Sequence, residues 1–167
     1  MPASERAQRR RSPDPAQLRA WRAYIETAQV VRSTIGSQLL ADSGLSNGDY
    51  AVLLALSEAP GHRLRSTPLA RAIHWERSRL SHHLGRMERR ELISREGSAT
   101  DNRGAEIVLT PSGTTAFRRA TVPHLRLVQE LFVDALSAEQ LAALEDASRA
   151  LGRHLQERLD GTAGESG

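Results

Sequence analysis

The chain has 167 residues, of which 39% are hydrophobic, and its 23 basic and 20 acidic side chains leave a formal net charge of +3. That is enough apolar material for one compact protomer, and nothing demands a second core. The absence of cysteine excludes disulfides, thiolate metal sites and a cysteine-based peroxide sensor. No apolar run approaches the ~20 residues of a membrane span and no h-region opens the chain, so no membrane partner is expected and the expected location is the cytoplasm.

Residues 1–15 are polar and aperiodic, with Arg9-Arg10-Arg11 followed by Ser-Pro-Asp-Pro, and read as a disordered tail. From Ala16 to about Leu40 apolar residues recur at spacings of three and four (Leu18, Trp21, Ile25, Ala28, Val31, Ile35, Leu39), the pattern of a long amphipathic helix. Asp42-Ser43-Gly44 stops it. Ser46-Asn47-Gly48-Asp49 opens a second helix whose core candidates are Tyr50, Leu53, Leu54 and Leu56, and Ala59-Pro60-Gly61 ends that one. Ser66-Thr67-Pro68 then places a capping hydroxyl before a first-turn proline, which predicts a short third helix over Pro68–Ile73.

His74-Trp75-Glu76 reads as a turn into a fourth helix, with Glu76 near its positive end. At 100° per residue Leu80, Leu84 and Met87 share a narrow arc and form the buried stripe. Ser78, Ser81, His82, Gly85 and Arg89 lie on the opposite side, with Arg79 and Arg86 on one flank. Guanidinium, imidazole and hydroxyl donors around a glycine suit a helix laid in the major groove of DNA. Two strands follow, Ile93–Glu96 and Ala105–Leu109, joined by the polar loop 97–104. Arg103 near the tip of that loop suits the negative potential of a narrow minor groove, and Asp101 is placed to hold it. Arg65 and Ser66, at the start of the third helix, are candidates for phosphate contacts.

The basic residues are all arginine, and their distribution follows the same segment. Between Arg63 and Arg103 ten Arg face five acids, whereas from Pro111 onward six Arg face eight. A local positive surplus over the presumed contact surface is what a nucleic-acid footprint requires.

After the hairpin, Thr110-Pro111-Ser112 caps a long helix carrying Phe117, Ala120, Leu125, Val128, Leu131 and Phe132, with a bend expected at Pro123. Ser137-Ala138-Glu139-Gln140 resembles a capping box opening a last helix with Leu141, Leu144, Leu151 and Leu155. Residues 160–167 read as a second loose tail. The expected class is therefore mainly α with a small β-hairpin wing: a winged helix-turn-helix (46–110) between a long N-terminal helix (16–45) and C-terminal helices (111–159). The long helices carry more apolar surface than one winged unit covers, so they are expected to pair with a twofold copy, giving a homodimer.

Ser78 through Ile93, Asp101-Asn102-Arg103-Gly104 and Leu109-Thr110-Pro111-Ser112-Gly113 resemble the recognition helix, wing and following helix of the MarR family of bacterial transcriptional regulators. The D-x-R wing followed by L-T-x-x-G is the specific part of the match, and the likeness extends from about Ala16 to Arg158. One departure is Glu91, where the family commonly has glycine, so the helix is expected to end in an ordinary frayed turn. The resemblance implies a homodimer on an inverted-repeat operator in double-stranded DNA, acting as a repressor. It also implies a small-molecule effector between the dimer helices and the winged unit, for which Trp21, Tyr24 and Trp75 are the wall candidates.

Six histidines show no H-x-x-x-H or E-x-x-H spacing, so no metal site and no cofactor are expected. Neither a G-x-S-x-G nucleophile context nor a phosphate loop is present, which argues against an enzyme. Two other readings are a winged-helix protein-interaction module and a small-ligand or metal sensor without specific DNA binding.

Overall fold

The computed structural model describes residues 12–97 and 105–164, the last six of these by backbone alone. It divides into two compact bodies, residues 1–124 and 125–167. In the first body α1 (Pro15–Ser43) begins one residue before the expected start at Ala16, because Asp14 caps it. Asp14 accepts from the Ala16 and Gln17 amides, and Gln17 returns the bond to the Asp14 N–H, a complete capping box. Gly44, in the left-handed region at φ 69°, ends the helix as the Asp-Ser-Gly signal predicts.

Ser46 and Asp49 form a second capping box at the head of α2 (Asn47–Glu58). This helix buries Tyr50, Val52, Leu53 and Leu56, whereas Leu54, expected in the core, is 38% exposed because it lies about 160° round the helix from both Val52 and Leu56. A strand absent from the sequence reading follows, β1 (Arg63–Arg65). Next come α3 (Ser66–Ala72) and α4 (Arg77–Arg89). Arg65, not Ser66, is the N-cap of α3, and no side chain caps it, so the expected capping hydroxyl is instead the first helical residue.

Both helices of this pair end in the same way. Trp75 N–H reaches Ala70 O and His74 N–H reaches Arg71 O after α3; Leu92 N–H reaches Met87 O and Glu91 N–H reaches Glu88 O after α4. These are Schellman closures with His74 (φ 54°) and Glu91 (φ 56°) in the left-handed position. The frayed end expected at Glu91 is therefore corrected: the left-handed cap forms without glycine, held also by Thr110, whose hydroxyl donates to Glu91 O at 2.6 Å. An L-residue in that conformation is strained by roughly 1–2 kcal/mol. Glu91→Gly is thus expected to stabilise the protein by about 0.5–1 kcal/mol, after the added unfolded-state entropy, read as a higher urea midpoint at unchanged slope. A midpoint at or below that of the parent would mean the Glu91 side chain contributes something the cap does not explain.

β2 (Ile93–Glu96) and β3 (Glu106–Leu109) pair antiparallel, Ile93 opposite Leu109, and β1 adds on the other side of β3 with Arg63 opposite Val108. The sheet order is β1-β3-β2. Its inward residues Ile93, Ile107 and Leu109 join Leu53, Leu56, Leu69, Leu80, Leu84 and Met87 in one core, on which Ala116, Phe117 and Ala120 of α5 (Pro111–Val128) also pack. The result is a helix-turn-helix backed by a three-stranded sheet.

In the second body α5 passes into a π-helical turn at Gln129–Val133, and α6 (Ala138–Gly164) follows behind a Ser137/Gln140 capping box. Pro123, where a bend is expected, stays within α5 although it can donate no helical hydrogen bond, and the chain leaves the α-helical pattern at that π turn. Helical backbone also runs past the expected start of the C-terminal tail, to Gly164. No helix among the described residues is long and apolar enough to cross a membrane.

Candidate nucleic-acid interface

The α4 helix presents two different edges. Leu80, Leu84 and Met87 are buried, as their spacing predicts, and Ser78, Ser81, His82 and Arg89 are exposed on the opposite side. The body behind is rigidly tied: Arg95 of β2 pairs with Glu88 at 3.3 Å and donates to Ser81 O, and Arg63 of β1 reaches Glu96 and Glu106 at 3.4 Å each. The root of the wing is thereby braced both to α4 and across the sheet.

Arg79 and Arg86, expected on the flank, are exposed but turn to a cleft among α1, α2 and α4. The cleft, about 530 Å³, is lined by Arg32, Trp75, Arg79, His83 and Arg86, with Ser33, Gly36, Ser37 and Gly48 among the small residues around it. The Arg79 guanidinium lies over the Trp75 ring at 4.1 Å, and Trp75 meets His83 edge-on at 5.0 Å between centroids. A cleft can open here because glycines let the helices converge beside it. A Cβ at Gly48 would meet Trp75 at 2.7 Å and His83 at 2.9 Å, and one at Gly36 would collide with the Asn47 amide, which donates to Arg32 O.

Behind the cleft runs a polar chain that the sequence reading missed. Asp49, 4% exposed, accepts from the Ser46 amide at 2.9 Å and from Arg90 Nη1 at 2.8 Å. His83 Nε2 stands 3.0 Å from Asp49 Oδ1, close enough for attraction though poorly aligned for a hydrogen bond. On its other side His83 Nδ1 accepts from Arg86 Nη2 at 2.7 Å. Arg90 Nη2 donates to Gly44 O, so one guanidinium joins the end of α4 to the end of α1 and the head of α2. Burial by itself would raise the Asp49 carboxyl, but His83, the Ser46 amide and Arg90 together hold it well below the usual carboxylate value of 3.8.

The other candidates divide. Ser66 is exposed at the first turn of α3 and Arg65 is half-buried beside it at the end of β1. Trp21 and Tyr24 contact each other at 6.4 Å on α1, are 59% and 48% exposed, and do not line the cleft; of the three aromatic wall candidates only Trp75 does. Asp101 and Arg103 lie outside the described residues, as do most of the N-terminal tail and residues 165–167. Among the described residues no cluster of three metal-ligating side chains occurs.

Residues 43–104 match the model of the MarR family. The transcriptional regulator HosA of Escherichia coli O127:H6 is 34% identical over 96 residues, which is 58% of this chain and 69% of HosA. The chain belongs to the MarR family. It is a transcriptional regulator with the MarR winged-helix fold, and it is not an enzyme. Among solved MarR structures, AbsC of Streptomyces coelicolor is 34% identical and superposes with a TM-score of 0.82, over 88% of this chain and 99% of AbsC. Sco3205 of the same organism, solved in complex with DNA, is also 34% identical, with a TM-score of 0.84 over 87% of this chain and 91% of its own.

Proposed function

We propose that this MarR regulator is a homodimeric repressor that lays α4 in the major groove of an inverted-repeat operator, sets its wing in the adjacent minor groove and is released by a small effector. The observation that carries the reading is the outward face of α4, where Ser78, Ser81 and His82 are exposed opposite a fully buried apolar stripe. Ser78, Ser81 and His82 are assigned to base edges and phosphates, with Arg79 and Arg86 at the groove edge. Ser66 and Arg65 fix phosphates, and Arg103, oriented by Asp101, enters the minor groove. A winged helix that docks on protein would present apolar residues on that face, and α4 has none there.

Dimerisation is supported by the exposure of Leu18, Trp21 and Ile25 along α1 and, in the second body, of Leu151 and Leu155 along α6. For the effector, a cleft holding Trp75 and three arginines suits a flat anion, which stacks on the ring and pairs with the guanidinium groups. Trp21 and Tyr24 are proposed for the same ligand only from a partner copy.

Selection of bound sequences from a random duplex pool tests the reading. The expected product is an inverted repeat whose half-sites lie one helical turn, about 34–36 Å, apart. On that operator Arg103→Ala is expected to lose about tenfold in affinity with unchanged melting, in line with loss of one specific contact. Recovery of no preferred sequence, or retention of site preference only at low salt, would defeat the proposal.

A further inference from the structure

Among the described glycines of the winged body, Gly97, in the loop after β2, and Gly85 meet nothing closer than 3.9 Å and have no positive φ, and of these two only Gly85 lies inside a helix. Gly36, Gly48 and Gly113 each sit where a Cβ would strike another part of the protein, and Gly44 and Gly61 have positive φ. Gly85, in the middle of α4, has neither reason. Its backbone is helical, and a Cβ there would meet only Arg89 Nη1, at 3.9 Å, among the described residues. A glycine in the interior of a helix is disfavoured against alanine, so the fold by itself selects against it.

Its place on the helix is specific. At 100° per residue Gly85 lies about 20° from Ser78 and about 40° from Arg89, and about 140° from Leu80 at the centre of the buried stripe. It is therefore the midpoint of the exposed face, with Ser78, Ser81, His82 and Arg89 around it. We propose that Gly85 sets how deeply α4 seats in the operator, an inference that rests on the DNA-binding reading given above. An α-helix with side chains is about 10–12 Å across and the major groove about 12 Å wide, so one missing side chain at the leading edge changes the depth of entry. With only hydrogen at that point the backbone approaches the floor of the groove, and the short Ser78 and Ser81 hydroxyls come within reach of base edges. A methyl group or larger holds the helix back and leaves those short side chains stranded, while the long arginines still reach phosphates. Gly85 is thus a specificity-determining position that makes its contribution by being empty.

The experiment compares the full-length parent, Gly85→Ala and Gly85→Leu for melting temperature, for affinity to the selected operator and for affinity to a random duplex of equal length. Both variants are expected to melt a few degrees higher than the parent, since each is the better helix former. Operator affinity is expected to fall at least tenfold for Gly85→Ala and further for Gly85→Leu, with random-duplex affinity changed less than threefold, in keeping with lost base contacts and retained phosphate contacts. Operator affinity equal to that of the parent in the more stable Ala variant overturns the proposal while leaving α4 as the reading helix. If the parent itself selects no operator, the DNA-binding reading falls and this inference with it.

Discussion

Asp49→Ala is expected to destabilise the protein by about 3 kcal/mol at neutral pH, the cost of breaking a buried ion pair by removing one partner. The carboxylate is almost wholly buried and is held from two directions: the Ser46 amide in its own helix cap and Arg90 at the end of α4 donate to it, and His83 of α4 stands 3.0 Å away. Without it His83, 7% exposed, faces a cavity, whereas the Arg90 side chain is 44% exposed and can turn to water, which keeps the loss at the low end of the range. The pH dependence has a definite sign. A carboxyl whose folded pKa is depressed adds stability that is fully present above its unfolded value, here near 3.8, and that fades as pH falls through the folded value. Urea unfolding of parent and variant should therefore differ by the full amount at pH 7, and the gap should narrow at pH 3 and below. A gap under about 1 kcal/mol at pH 7, or one that does not change with acid, would show that Asp49 is not the clamp described.

What could be read from the sequence, and what could not, divides along the range of the interactions. The helices α1 to α4 and the wing strands announce themselves through capping boxes, a glycine stop and apolar spacing, all determined within a few residues. β1 does not. Arg63-Leu64-Arg65 is too short to show an alternating run, and it is a strand only because β3 offers Val108, Ile107 and Glu106 opposite it. The Asp49 clamp is invisible for the same reason, since Arg90 is 41 residues away and the capping box in which Asp49 takes part does not point to it. His83 left a partial trace, sitting at the margin of the Leu80-Leu84-Met87 stripe where a wholly solvent-facing histidine would not be.

Arg79 and Arg86 show how angular arithmetic runs out. Their helical positions place them correctly on a flank of α4, but a flank is defined by what passes beside it, and the arrival of α1 with Arg32 turns that flank into the wall of a cleft. The two arginines consequently stand between the surface proposed for DNA and the cavity proposed for an effector. Arg86 is held at the cleft by His83, and through His83 it is linked to Asp49, Arg90 and the end of α1. An anion that draws Arg86 inward would act on the helix proposed to read DNA by a path of direct contacts, with no long-range transmission needed.

Gly113→Ala is expected to lower stability by about 3 kcal/mol or more and the melting temperature by roughly 6–12 °C, because the obstacle is backbone and cannot rotate away. A Cβ at Gly113 would fall inside the Leu92 carbonyl oxygen and lie 2.9 Å from its carbon and 3.0 Å from Leu109 Cδ1. The contact is clamped on both sides. Thr110 Oγ1 accepts from the Gly113 amide at 2.9 Å and donates to Glu91 O, and the Thr110 amide reaches Leu92 O. This arrangement gives the L-T-x-x-G run its physical meaning: threonine caps α5 while tying it to the turn after α4, and glycine four residues after Leu109 lets the first turn of α5 lie directly on that turn. Relief of the clash must lift α5 off the core, where Ala116, Phe117 and Ala120 pack, or push back the turn that positions α4. Ser112→Ala, one residue earlier on the exposed side, is the matched control and should stay within about 0.5 kcal/mol of the parent. A Gly113→Ala protein melting within about 2 °C of the parent would mean that α5 can shift freely against Leu92, and the rigid link between the turn after α4 and the first turns of α5 would have to be abandoned.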